Sequence, residues 1–145
     1  MTLRFEKQWR GQFVKPISRV RLTSGPEIMT LAASSISTTT ATGNGNIIFL
    51  GDVTPTQYGM CWGTTPFPTT ADNKSEEGAA TQIGVFTSNI IGLATSTIYY
   101  IRAYITSIYG TSYGEQFAFT TEMGFFLKED GDFFLKEDGD KLILE

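Results

Sequence analysis

The 145-residue chain contains no histidine. This removes the most frequent general acid or base near neutral pH, the commonest metal ligand, and any Ser-His or Cys-His nucleophile pair. A single cysteine, Cys61, rules out an intrachain disulfide and a multi-cysteine zinc site. Charged residues make up only 18%. No window reaches the roughly 18 consecutive apolar residues of a membrane-spanning helix, so membrane insertion is not expected. The basic opening segment lacks the apolar stretch of about 7–15 residues that a secretory leader needs. With Met1 as the natural start, the standard secretory route is not expected either. Glycine-rich phosphate loops, Gly-X-Ser-X-Gly elbows and metal-ligand spacings are all missing. The adjacent acids Glu76 and Glu77 would point to opposite faces of an extended segment, and Asp52 and Asp72 sit beside turn residues where Asp is ordinary. These absences point to a non-enzymatic protein with no catalytic residues, no metal and no cofactor.

What is present is apolar and strand-forming. Hydrophobic residues account for 41% and aromatics for 13%, with Thr, Ser and Gly abundant, a balance that suits pleated surfaces and turns. Charge divides the chain into three zones. Residues 1–25 hold Arg4, Lys7, Arg10, Lys15, Arg19 and Arg21 against Glu6 alone, a local net of +5. Residues 26–121 carry six acids and two bases, and residues 122–145 eight acids and three bases, a net of −5 for the last zone. Opposed ends of this kind favour an electrostatic role in assembly.

The first zone reads as an extended arm. Leu3, Phe5 and Trp9 are interspersed with charge, Pro16 disfavours a continuous helix, and Ile17–Leu22 sets Arg19 and Arg21 against Val20 and Leu22. An arm bearing Phe5, Trp9 and Arg10 is expected to dock on this chain's own core or on a neighbour. Nucleic acid is not the expected partner, because the arm has no dense basic run and the chain is acidic overall.

The middle zone predicts short strands near 28–36, 38–50, 55–63, 81–91, 97–107 and 111–121. The expected breaks are Gly43-Asn44-Gly45, Gly51-Asp52, residues 64–72, Gly92 and Tyr109-Gly110. Six or seven short strands in about 95 residues predict an all-β sandwich with Greek-key connections. Alternation from Tyr99 assigns Tyr99, Ile101, Ala103 and Ile105 to the core and Tyr100, Arg102 and Tyr104 to a half-exposed face. Trp62 is the expected large core residue, with Met60 on its side and Cys61 opposite. Tyr100, Tyr104, Tyr109 and Tyr113 are candidate aromatic platforms for a host-surface glycan.

The third zone repeats eight residues, Phe125–Asp132 and Phe133–Asp140, before Lys141–Glu145. Asp-Gly between apolar runs predicts type I′ turns and a small antiparallel meander. With Asp130 and Gly131 as turn residues, Phe126 would oppose Leu135 and Leu127 would oppose Phe134. Phe125, Phe126, Leu127, Phe133, Phe134 and Leu135 then make both faces apolar, which favours packing between copies into a homo-oligomer. The clustered aspartates lack the spacing of an EF-hand loop and are explained by the turns.

Gly92-Leu-Ala-Thr-Ser-Thr-Ile-Tyr-Tyr-Ile-Arg-Ala-Tyr104 resembles the fibronectin type III signature, in which a leucine precedes by six residues the tyrosine of a tyrosine corner. Leu93 and Tyr99 match it, and Thr95 stands where a proline is frequent. Tyr58-Gly-Met-Cys-Trp62, the Pro-containing stretch ending at Asp72-Asn-Lys74, and Tyr109–Thr121 resemble a variant found in surface proteins of the Bacteroidetes group. The tail resembles short repeats at the C-termini of bacteriophage structural proteins. Together the resemblances imply an immunoglobulin-like, fibronectin type III-like sandwich over residues 26–121, flanked by the arm (1–25) and an oligomerising tail (122–145). The structural core is marked by Trp62, Leu93, Tyr99 and Ile101. The implied function is a virion structural subunit of a bacteriophage, such as a capsid decoration, head-fibre or tail-associated protein, with other virion subunits as partners. The alternative is a bacterial cell-surface adhesion or extracellular filament subunit that binds carbohydrate.

Overall fold

A computed structural model describes residues 24–127 and 133–135, and every described element is a strand. Strands β1 (Glu27–Ser34), β2 (Thr40–Phe49) and β5 (Gly84–Ile91) form one antiparallel sheet in the order β1-β2-β5. A second sheet runs β4-β3-β6-β7, built from β3 (Gln57–Gly63), β4 (Asn73–Lys74), β6 (Ile98–Ser107) and β7 (Gly110–Tyr113). Strand β8 (Phe117–Thr120) also pairs with β6, at the opposite end from β7. The short β4 lies beside β3 rather than beside β5, so the sandwich differs from constant-type immunoglobulin domains, whose fourth strand joins the first sheet.

The inward side chains come from alternate positions of both sheets, as a two-layer core requires. Ile47 and Ile90 face Met60, Trp62, Ile101, Ala103 and Ile105. Tyr58 meets Phe86 edge-on at 4.9 Å between ring centroids, closing one end of the core. The Gly43-Asn44-Gly45 break expected from sequence is not a break. These residues run through the middle of β2. Glycine is needed there for close approach. A Cβ on Gly43 would lie 2.9 Å from Met60 Cγ, and one on Gly45 would lie 2.5 Å from the Phe86 ring.

The expected strand at 111–121 is two strands, interrupted at residues 114–116. At the interruption the chain passes close to β1, where a Cβ on Gly114 would collide with Thr30. Thr30, only 2% exposed, accepts a hydrogen bond at Oγ1 from the Ala103 amide at 2.9 Å. A side chain of β1 thus pins the backbone of β6 across the sandwich.

Two further expectations change. Asn73–Lys74 and the residues after them form an edge strand that the sequence reading did not include. Its ladder on β3 continues through Ser75 N to Met60 O (2.8 Å) and Glu77 N to Tyr58 O (2.9 Å). Glu76 and Glu77 therefore belong to an edge ladder on β3. That segment also covers Tyr104, which is 1% exposed and donates its hydroxyl to Ser75 O at 2.6 Å. Gly59, paired opposite Tyr104, leaves the room that the Ser75 carbonyl occupies. Tyr104 is accordingly a buried residue and no glycan platform.

Candidate interaction surfaces

The structure places all four core markers inside. Trp62 and Ile101 are cross-strand partners, and Leu93 is buried at the entry to β6. Tyr99 stacks on Phe119 at 5.9 Å, and its hydroxyl accepts the Ala94 amide at 3.0 Å. This short-range bond back to the chain five residues upstream is a tyrosine corner. Thr121 latches the same corner from the other side, donating to Ala94 O (2.6 Å) and accepting from Thr97 N (2.9 Å).

Chemistry is scarce on the second sheet's outer face. Cys61 is buried beneath the β3–β4 connection, with Sγ 3.3 Å from Pro68 O and 3.4 Å from Arg102 O. Burial pushes its thiol up to about 11, with the Arg102 charge only partly opposing this, so the sulfur stays protonated and unreactive near neutral pH. Arg102 donates from Nε to Gly114 O at 3.0 Å and lies 4.6 Å over the Tyr113 ring. The Tyr113 hydroxyl in turn accepts the Thr70 amide at 3.1 Å. The ring face of Tyr113 is therefore taken by Arg102, while Tyr100 is half-buried and Tyr109 exposed. No group of three or more metal-ligating side chains occurs among the described residues.

The β3–β4 connection presents a feature that alternation does not reveal. Phe67 is 67% exposed and holds a left-handed backbone at φ 59°, an unusual conformation for a non-glycine residue. Its amide donates to Gln116 Oε1, which ties the loop tip to the β7–β8 interruption. Only the Pro-Phe-Pro order, which restricts the backbone on both sides of Phe67, hinted at this in sequence.

A groove of about 650 Å³ follows the flank of β1. Met29, Leu31 and Ile48 line it from the first sheet, and Tyr113 and Phe117 from the second, with the carboxylates of Glu27 and Glu115 alongside. Among the described residues β1 pairs only with β2, so its groove-side edge carries no strand.

The assembly residues of the tail form a separate two-stranded sheet. Strands β9 (Phe125–Leu127) and β10 (Phe133–Leu135) pair antiparallel, with Phe134 opposite Phe126, Leu135 opposite Phe125 and Phe133 opposite Leu127. The register is one residue away from that of a two-residue Asp130-Gly131 turn: it is centred on Asp130, so five residues connect the strands. A one-residue shift exchanges every cross-strand pair. The arm residues Phe5, Trp9 and Arg10, the aspartates between and after the strands, and the third expected strand lie outside the described residues.

No protein-family model matches the chain, and no curated protein matches it. Solved structures do. The sensor domain of the anti-sigma factor RsgI4 of Pseudobacteroides cellulosolvens aligns at 17% identity and TM-score 0.51, over 68% of this chain and 96% of that one. A solution structure of the same sensor domain aligns at 16% identity and TM-score 0.50, over 67% and 75%. The sixth fibronectin type III domain of human fibronectin type III domain-containing protein 3 aligns at 24% identity and TM-score 0.49, over 69% and 89%. The fold is a fibronectin type III-like β-sandwich. At these identities the likeness concerns the fold alone, and the tyrosine corner and the division into a three-stranded and a five-stranded sheet are its physical basis in this chain.

Proposed function

We propose that the chain is a non-enzymatic structural subunit of a bacteriophage particle, a decoration, head-fibre or tail-associated protein. It joins its neighbours through its terminal segments and displays the sandwich between them. The observation that carries this reading is the separate pairing of the two repeated Phe-Phe-Leu triplets in a sheet of their own. A two-stranded sheet of three-residue strands is marginal in water and calls for a partner. The sandwich needs none: its core is closed and its last strand is latched at Thr121. The basic arm and acidic tail supply opposite charge at the two ends, which favours one docking orientation.

The test is the solution mass of the full chain beside a chain ending at Gly124, which retains the Glu122 amide bond to Ser37 O. The full chain is expected to be oligomeric and the shortened one to be of lower order. Two monomers at high concentration would remove the tail from the reading.

A second reading, a bacterial cell-surface adhesion or filament subunit that recognises glycan, draws on Phe67. A strained, exposed aromatic on a pinned loop is the sort of feature that recognition uses. A leader peptide encoded upstream of Met1 would favour this second reading, whereas neighbouring capsid and tail genes would favour the first.

A further inference from the structure

We infer that the β1 groove receives the basic arm of a second copy, with residues 17–22 lying as an added strand along the free edge of β1. This rests on the reading of the arm as an assembly element and names its receptor.

Three observations carry it. The first is the shape and edge of the groove. It has apolar walls on both sides and runs beside an eight-residue strand whose groove-side edge is unpaired among the described residues. The part of β1 that lines the groove, Glu27–Leu31, spans about 17 Å, the length of five of the six arm residues in an extended strand. Main-chain bonds to a free edge bind an extended segment, and side-chain pockets select it.

The second is charge. Glu27 and Glu115 line the groove, and among the described residues no Lys or Arg does. Both acids are exposed, while the arm segment carries Arg19 and Arg21 on one side of its alternation and Val20 and Leu22 on the other. A strand of this pattern offers cations to the carboxylates and apolar side chains to the groove wall. Described residues 24–127 hold seven acids and only two bases, Lys74 and Arg102, so the arm also meets an attractive field on approach.

The third is the direction in which the arm leaves, and it selects a second copy over the chain's own arm. Ser24 and Asp52 continue the β1–β2 register three residues beyond the Glu27–Phe49 pair. Asp52 N donates to Ser24 O at 3.1 Å, and Ser24 N donates to Asp52 Oδ2 at 2.9 Å. At Ser24 the chain is therefore still running out along the line of β1, away from the groove. Its own arm would have to reverse completely to return, whereas a neighbour's arm enters without reversal. The contact is heterologous, so copies would add head-to-tail into a ring or an open row.

The experiment titrates a fluorescein-labelled peptide of residues 1–23 into the full chain at low salt and follows its anisotropy. Saturable binding that weakens with added salt is expected. Glu27→Lys with Glu115→Lys should weaken it at least tenfold, and both positions are exposed, so the fold is retained. A peptide carrying Arg19→Glu and Arg21→Glu should fail on the native chain and regain binding on the charge-reversed one. Absence of binding to the native chain, equal affinity for native and charge-reversed chains, or no recovery in the swapped pair would each overturn the inference. A chain that oligomerises through its tail yet ignores the peptide refutes this inference and leaves the assembly reading intact. Loss of tail-dependent mass with retained peptide binding does the reverse.

Discussion

Replacing Thr30 by valine should destabilise the protein although it makes the core more apolar. The two side chains have nearly the same shape, and position 30 is 2% exposed. What changes is the acceptor for the Ala103 amide, which Thr30 Oγ1 meets at 2.9 Å in a buried setting. On the side of the interruption Gly114 N donates to the Ala103 carbonyl at 2.9 Å, but the Ala103 amide bonds to Thr30 instead of a strand carbonyl, so the hydroxyl replaces a ladder acceptor. Orphaning a buried donor costs about 1–3 kcal/mol. Valine recovers only part of this, since removing the hydroxyl from a buried site is favourable by about 0.5–2 kcal/mol on scales that allow partial compensation. At the centres of the two ranges a net loss of about 1 kcal/mol remains, which for a urea slope of about 2 kcal/mol/M shifts the midpoint down by about 0.5 M. Thr30→Ser keeps the acceptor and removes one methyl, so its cost should be about 0.8 kcal/mol or less. The assay is equilibrium urea unfolding of the three proteins, with equal slopes checked. A valine variant as stable as the parent, or more stable than the serine variant, would refute the claim that a hydroxyl pins β1 to β6.

Three other outcomes follow from the same contacts. Tyr99→Phe leaves the Ala94 amide without its acceptor at 3.0 Å and should cost about 1–2 kcal/mol in the same urea assay, while the fold persists. Gly45→Ala puts a methyl 2.5 Å from the Phe86 ring and should cost about 1–3 kcal/mol through overpacking, visible as a lowered melting temperature. Stability should also fall in alkali. Burial holds the Cys61 thiol at about 11 against an ordinary 9.0, and burial, reinforced by Glu76, holds the Tyr104 phenol at about 12 against 10.0. The unfolded chain releases both protons first, so the stabilisation is complete below about pH 9 and is lost as pH rises towards 12. Cys61→Ala should flatten the part of that decline between pH 9 and 11 in urea titrations at stepped pH.

How much of this was legible in sequence depended on whether one strand's alternation decided the outcome. Tyr99, Ile101, Ala103 and Ile105 are buried as the period of two requires, and Trp62 and Met60 are buried on β3, where Gly59 and Cys61 on the other face are buried as well. The readings that failed involve contact with something distant along the chain. Gly43 and Gly45 look like a turn because glycine usually marks one, yet Met60 and Phe86 demand the missing side chains. Tyr104 lies on the outward side of β6 and is still buried, because a polar edge segment from residues 73–77 folds over it. That segment escaped notice because Asn-Lys-Ser-Glu-Glu has no apolar alternation, and its pairing rests on backbone bonds to β3. The tail register failed for a related reason. Asp-Gly fixes a turn only when its two residues are the whole loop.

The two ends of the molecule should respond differently to solution conditions, and this separates their contributions to assembly. Docking of the arm into the groove matches Arg19 and Arg21 with Glu27 and Glu115 at an exposed edge, where charges more than about 10 Å apart are screened at 0.1 M salt. Raising salt from 0.05 to 0.5 M should therefore weaken it, chiefly by slowing association. The tail triplets Phe125–Leu127 and Phe133–Leu135 contain no charge, so association through them depends on apolar burial, which excluded salts such as sulfate strengthen. Sedimentation of the full chain in rising sulfate should show arm-dependent species disappear while tail-dependent species persist or grow. If both were lost together, the charge at the two ends would be holding the tail contact as well. The division of labour between arm and tail would then be wrong.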